Sequence, residues 1–321
     1  MIWLFVFVIS FLLLFWSGSQ LVKCLMGLAK YLGWREFVVA FFIMALAASL
    51  PNIFVGINAS LQGIPELSFG EIVGGNMVDM TLAVALAVLV GGNSLKIKSR
   101  MVQTSAIFTV VIALLPWILI LDGSLGRGDG VILLLSFALY VFWLFSKGER
   151  FKKTYQSSKK KQKNLSTQQF KVFFKDLIKT LIVLFLLIIA SWGVVQSAQF
   201  FSDALGISVT IIGILLIGLA NALPETYFAI ASARKKRTWL ILGNLMGSVI
   251  VCATLVLGII VLISPIENID FSPFVIARIF LIIASVFFLI AVRTDQKITK
   301  KEALVLLAIY ILFLLSEAFL R

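Results

Sequence analysis

With 321 residues, 61% of them hydrophobic and only 13% charged, and with a mean hydropathy of +1.08, the chain carries too much apolar side chain for a water-soluble domain. Its two cysteines, Cys24 and Cys252, lie in separate apolar runs, which excludes a disulfide framework or a thiolate cluster. It has no histidine, so the usual neutral-pH proton carrier and transition-metal ligand is missing. What remains is an all-α polytopic membrane protein in which ion chemistry must run through carboxylates. The formal charge of +13 then reads as loop orientation, not nucleic acid binding.

A membrane-crossing helix needs about 20 apolar residues. Such runs occur at 2–22, 37–61, 68–91, 101–121, 130–146, 174–199, 207–232, 239–263, 274–292 and 302–320, which predicts ten transmembrane helices. The first run lacks a basic leading region and a small-residue cleavage site, so it reads as a span and not a signal peptide. Of the 28 Lys and Arg residues, 25 fall in the loops after odd-numbered runs, among them Lys96, Lys98, Arg100 and the Arg234-Lys235-Lys236-Arg237 cluster. The alternate loops carry Glu66, Asp122, Asp129, Asp203, Glu267 and Asp270. Basic loops face the cytoplasm, so both termini are expected outside, in a multi-pass protein of the bacterial or archaeal plasma membrane.

The Lys-, Gln- and Ser-rich stretch at 147–173 divides five runs from five. Three parts are therefore expected: a five-helix half at 1–146, a basic cytoplasmic linker at 147–173, and a second five-helix half at 174–321. The linker reads as a solvated orienting loop, with attachment to anionic lipid as the functional alternative.

Ala47-Ala48-Ser49-Leu50-Pro51-Asn52 returns as Ala220-Asn221-Ala222-Leu223-Pro224-Glu225. The same shift of 173 positions, the separation of Pro51 and Pro224, superposes Leu46 on Leu219, Ile57 on Ile230, Gly70 on Gly243, Gly74 on Gly247 and Thr81 on Thr254. Coincident prolines and glycines mark a duplicated unit. Five runs separate equivalent points, so the copies cross the bilayer in opposite senses, an inverted repeat that builds a substrate site near the midplane.

Proline withdraws one backbone donor, so Pro51 and Pro224 are expected to break their helices and expose carbonyls at membrane depth. The deep ionisable residues are Glu71, Asp79 and Glu225. A carboxylate at that depth costs about 3 kcal/mol or more. With no Lys or Arg deep in any run, a bound cation is the fitting partner, with a permanently protonated acid as the alternative. Gly70 and Gly74, like Gly243 and Gly247, are spaced for close helix approach. Gly75 and Asp79, and likewise Ser248 and Cys252, share a helical face.

This doubled pattern resembles the alpha repeats of the cation/Ca2+ antiporter superfamily, which includes the prokaryotic sodium/calcium exchangers. There each repeat carries G-T-S-L-P-E and then G-N-x-x-G-S-N-x-x-N. The resemblance implies a ten-span exchanger with an ion site at Glu225, Asp79, Asn52, Ser49, Asn221, Ser248 and Cys252, with Glu71 and Asn76 in a second tier. The metal-binding charge would come from Glu225 and Asp79. The chain departs from the pattern: Asn52 stands where Glu is expected, Asp79 where Asn is, Cys252 where Asn or Asp is, and Glu71 where Asn is.

The expected function is secondary active cation antiport by alternating access, with Ca2+ and Na+ as transported ions and no organic cofactor. H+-coupled exchange, or exchange of another cation, is the alternative. So is a degenerate membrane scaffold that does not transport, which the motif losses motivate. A carrier of organic anions lacks a deep basic or aromatic recognition group, and an enzyme lacks a spaced nucleophile and base. Partners are the cations and the lipid bilayer; the sequence leaves the oligomeric state open.

Overall fold

The computed structural model describes residues 2–31, 44–92, 94–97, 100–146, 167–235, 238–267, 269–294 and 296–319. The helices in chain order are α1 (Ile2–Tyr31), α2 (Met44–Leu61), α3 (Pro65–Met80), α4 (Leu82–Gly91), α5 (Arg100–Leu119), α6 (Arg127–Ser146) and α7 (Thr167–Leu205). There follow α8 (Val209–Ile212), a π-helical turn at Gly213–Ile217, α9 (Gly218–Arg234), α10 (Thr238–Ile250), a second π-helical turn at Val251–Val256, α11 (Leu257–Ile263), α12 (Val275–Arg293) and α13 (Lys300–Phe319).

Among the described residues, nine helical stretches are long and apolar enough to cross a membrane, and they match every expected run but the second. Run 37–61 is described only from residue 44, as the 18-residue helix α2. Helix α7 begins at Thr167, inside the 147–173 segment. The rest of that segment lies outside the described residues.

Local chemistry sets the ends. Gly63 at φ +74° turns the chain between α2 and α3, and Pro65 opens α3 where its missing N–H costs nothing. Thr299 and Glu302 form a capping box at the start of α13: the Thr299 N–H donates to Glu302 Oε2 at 2.7 Å, and the Glu302 N–H donates to Thr299 Oγ1 at 3.3 Å.

Two loop pairings tie the bundle at its ends. Strand β1 (Leu95–Lys96) runs antiparallel to β2 (Lys297–Ile298), joining the segments after α4 and after α12. Leu125 and Ile266 exchange backbone hydrogen bonds of 2.8 and 3.0 Å, joining the segments before α6 and after α11.

The stretches Pro65–Gly91 and Ile241–Ile263 are far more buried than the others, so they form the centre of the bundle. One apolar cluster surrounds them, with Phe69, Met77, Leu245, Phe274 and Phe288 at its heart. A second joins α1 and α7 to α2 through Leu14, Leu21, Val55 and Leu187.

Candidate functional site

Glycine backbones bring the central helices together. A side chain on Gly70 or Gly74 of α3 would collide with the carbonyls of Thr210 and Ile214; one on Gly213 or Gly218 would collide with the backbone of α3 around Leu67, Glu71 and Gly75. The close approach expected at Gly70 and Gly74 is therefore present, and its partner is the other repeat's α8 and π turn. By the 173-residue shift, the corresponding partners of Gly243 and Gly247 fall at positions 37 and 41, outside the described residues.

This contact opens a small polar cavity lined by Asn52, Glu71, Asn76, Asp79, Asn221, Glu225, Ser248 and Cys252, with Ile72, Gly75 and Ala222 between them. It is small, with room for about one water or one bare ion. Four helical segments contribute: α2 brings Asn52, α3 brings Glu71, Asn76 and Asp79, α9 brings Asn221 and Glu225, and α10 with its π turn brings Ser248 and Cys252.

The structure thus gathers six of the seven first-tier residues and both second-tier ones. Ser49 is the exception: it is buried but does not line the cavity.

Charge is divided unevenly across the cavity. Asn52 Nδ2 donates to Cys252 Sγ at 3.0 Å, forming a neutral pair between α2 and the second π turn. The repeat shift carries this pair onto Glu225 and Asp79, which are carboxylates close enough for each to feel the other's charge. The Ser248 hydroxyl hydrogen-bonds Asp79. Asn221 Nδ2 donates to Glu71 Oε1. All three acids therefore stand on α3 and α9, while the facing α2 and π turn are neutral.

Glu71, Asp79 and Glu225 are 2%, 2% and 8% exposed. Among the described residues, Glu71 Oε2, Asp79 Oδ1 and Glu225 Oε2 are buried without a hydrogen-bond partner. Such oxygens are costly to bury unless something compensates them, and a cation in the cavity would do so. No group of three or more His, Cys, Asp or Glu among the described residues is arranged as a ready-made metal cage. The donor set is instead two or three carboxylates mixed with amides and a hydroxyl, which suits an ion that must leave again.

The helix-break expectation needs correction. Pro51 and Pro224 sit inside α2 and α9, which continue on both sides of them. A single missing N–H removes one hydrogen bond without ending a helix packed on its neighbours. The irregularities fall elsewhere: at Thr81, where α3 ends and α4 begins, and at the two π turns.

Sequence reasoning missed these turns. Gly213 and Gly218, which flank the first, were its available signal; around Cys252 there was none. Thr81 and Thr254, matched by the repeat, both donate their hydroxyls to the carbonyl four residues back, Met77 and Ile250.

Comparison with known proteins agrees with this geometry. The family model for the sodium/calcium exchanger protein matches residues 2–146 and 177–318. The chain is 26% identical over 319 residues to the uncharacterized membrane protein MJ0091 of Methanocaldococcus jannaschii, covering 97% of this chain and 96% of that one. It is 25% identical to the sodium/calcium exchanger MaX1 of Methanosarcina acetivorans, covering 93% of each. The solved sodium-calcium exchanger NCX_Mj, soaked with Na+ and Sr2+, superposes with a TM-score of 0.65 at 22% identity over 98% of both chains, which shows a shared fold. The chain belongs to the sodium/calcium exchanger protein family and is a multi-pass membrane cation antiporter, not an enzyme.

Proposed function

We propose that the protein exchanges Na+ for Ca2+ by alternating access at the cavity between α2, α3, α9 and α10. The observation that carries this reading is the set of carboxylate oxygens of Asp79, Glu225 and Glu71 that are buried without a partner among the described residues, around a cavity that no Lys or Arg among those residues lines. Glu225 and Asp79 supply the charge, and Asn52, Asn221 and Ser248 supply neutral oxygens. Ca2+ favours such an all-oxygen set. Ser49 takes part only if α2 turns, and Cys252 is a weak donor for a hard cation. Asn76 shapes the wall. Pro51 and Pro224 each leave a carbonyl four residues back without its helical donor, and these are further oxygen candidates. Because both ions use one cage, one must leave before the other binds, and this makes exchange obligatory.

In the same reading the chain has ten spans in two inverted halves, 1–146 and 174–321, joined by the basic segment, with both termini outside the inner membrane. The loop pairings support the parity: β1–β2 joins segments after the third and ninth spans, and Leu125–Ile266 joins segments after the fourth and eighth. Each pair belongs on one side of a membrane only if an even number of spans lies between. H+ in place of Na+ leaves this architecture unchanged.

The neutral Asn52–Cys252 pair favours one rival, a scaffold that has lost transport. Calorimetric titration of Ca2+ into the purified protein separates the two. Exchange predicts saturable binding that Glu225→Gln weakens at least about tenfold, or about 1.4 kcal/mol; a folded protein that binds no Ca2+ would support the scaffold.

A further inference from the structure

We infer that Cys252 makes this cavity a site for thiophilic divalent cations of the Cd2+ and Zn2+ class, bound in place of Ca2+ and carried by the same exchange. The inference rests on the exchange reading and widens its cargo from a hard cation to a soft one.

The sulfur belongs to the wall that any ion in the cavity touches. Cys252 lies in the second π turn, one turn beyond Ser248 of α10, and both residues line the cavity. Ser248 hydrogen-bonds Asp79, so the segment that carries the sulfur also holds a carboxylate of the facing helix. There is room for about one ion, which must therefore lie against the same few side chains. Cys252 is 3% exposed, and its Sγ accepts from Asn52 Nδ2 at 3.0 Å. A cysteine used for packing alone behaves as a small apolar group. Here an amide holds the sulfur on a polar wall.

The surrounding donors suit a soft cation. Asp79 Oδ1 and Glu225 Oε2 are buried without a hydrogen-bond partner among the described residues, and both side chains line the cavity. One thiolate, two carboxylates and a neutral oxygen from Asn221 or Ser248 make up the roughly four donors that Zn2+ takes. Ca2+ takes about six to eight oxygens, so a sulfur at this place costs it a ligand and gives a soft ion its strongest one. Among the described residues no three His, Cys, Asp or Glu side chains form a closed cage, so the donors draw in around whichever ion enters. Binding breaks the Cys252 S–H bond and forms a sulfur–metal bond, and the proton leaves to the solution that the cavity then faces. The chain has no histidine, and its other cysteine, Cys24 on α1, does not line the cavity.

The test adds Cd2+ to the purified full-length protein and follows the ultraviolet thiolate-to-Cd2+ charge-transfer absorption in wild type, Cys24→Ser and Cys252→Ser. In parallel, uptake of 109Cd2+ and 45Ca2+ is measured in Na+-loaded proteoliposomes. The expected result is a band that saturates at one Cd2+ per chain, is displaced by Ca2+, persists in Cys24→Ser and is lost in Cys252→Ser. The ratio of Cd2+ to Ca2+ affinity should fall at least about tenfold in Cys252→Ser, and residual 45Ca2+ binding shows that this variant is folded. An unchanged ratio, a band that Ca2+ does not displace, or a band that disappears with Cys24 overturns the site. Uptake of 45Ca2+ without uptake of 109Cd2+ overturns the soft cation as cargo. Flux of neither ion through wild-type protein that shows the Cys252 band upholds the site and overturns the exchange reading.

Discussion

At the scale of single residues, the redistribution of acid around the cavity is the chain's own feature. Asn52 and Cys252 hold each other by a hydrogen bond where the repeat-equivalent pair is Glu225 and Asp79. A thiol is a soft donor and Ca2+ a hard acceptor. Cys252→Ser should therefore leave Ca2+ affinity equal or raise it a few-fold while weakening Cd2+ binding by about tenfold or more, measured by competition against 45Ca2+. A large loss of Ca2+ affinity would mean that the thiol holds the site open in a way a hydroxyl does not. Asp79→Asn should weaken Ca2+ by at least about tenfold, because it removes half of the Asp79–Glu225 charge. Most of these residues were legible in the sequence, since the 173-residue shift finds any polar group standing at a matched position. Ser49 shows the limit: its spacing fits the motif, but its direction depends on how α2 is turned about its axis, which no spacing records.

At the scale of elements, the site exists because α3 and the α8–π–α9 segment meet backbone to backbone. Gly74→Ala puts a methyl group into the Ile214 carbonyl. Overpacking of this kind costs about 1–3 kcal/mol and should lower the thermal midpoint in detergent, with Na+- and Ca2+-dependent stabilisation reduced as the hydrogen-bonded Glu71 and Asn221 are pushed apart. Gly128→Ala, whose added Cβ meets nothing within 4 Å, is the matched control and should change stability by less than about 1 kcal/mol. Nine of the helical spans follow from apolar runs and basic loops alone. The π turns and the break at Thr81 do not, because one surplus residue in a helix is set by what packs against it. The prolines misled for the same reason: a missing N–H is visible in sequence, but whether the helix bends or simply continues is decided by its neighbours.

At the scale of the whole molecule, orientation and exchange are linked, since a cavity reached from alternate sides has meaning only once the sides are fixed. With basic loops inside, a periplasmic reporter fused after residue 321 should be active and a cytoplasmic reporter at the same place silent. The reverse pattern would turn the molecule over and place the Lys235 and Lys297 ends outside. We propose exchange of Na+ for Ca2+ at the Asp79–Glu225 cavity. Its most direct test is 45Ca2+ uptake into proteoliposomes loaded with Na+, set beside K+-loaded vesicles and the Glu225→Gln variant. Exchange at this cavity predicts uptake that requires the outward Na+ gradient and vanishes in Glu225→Gln. Uptake that is equal with K+ inside, or undiminished in the variant, would contradict it.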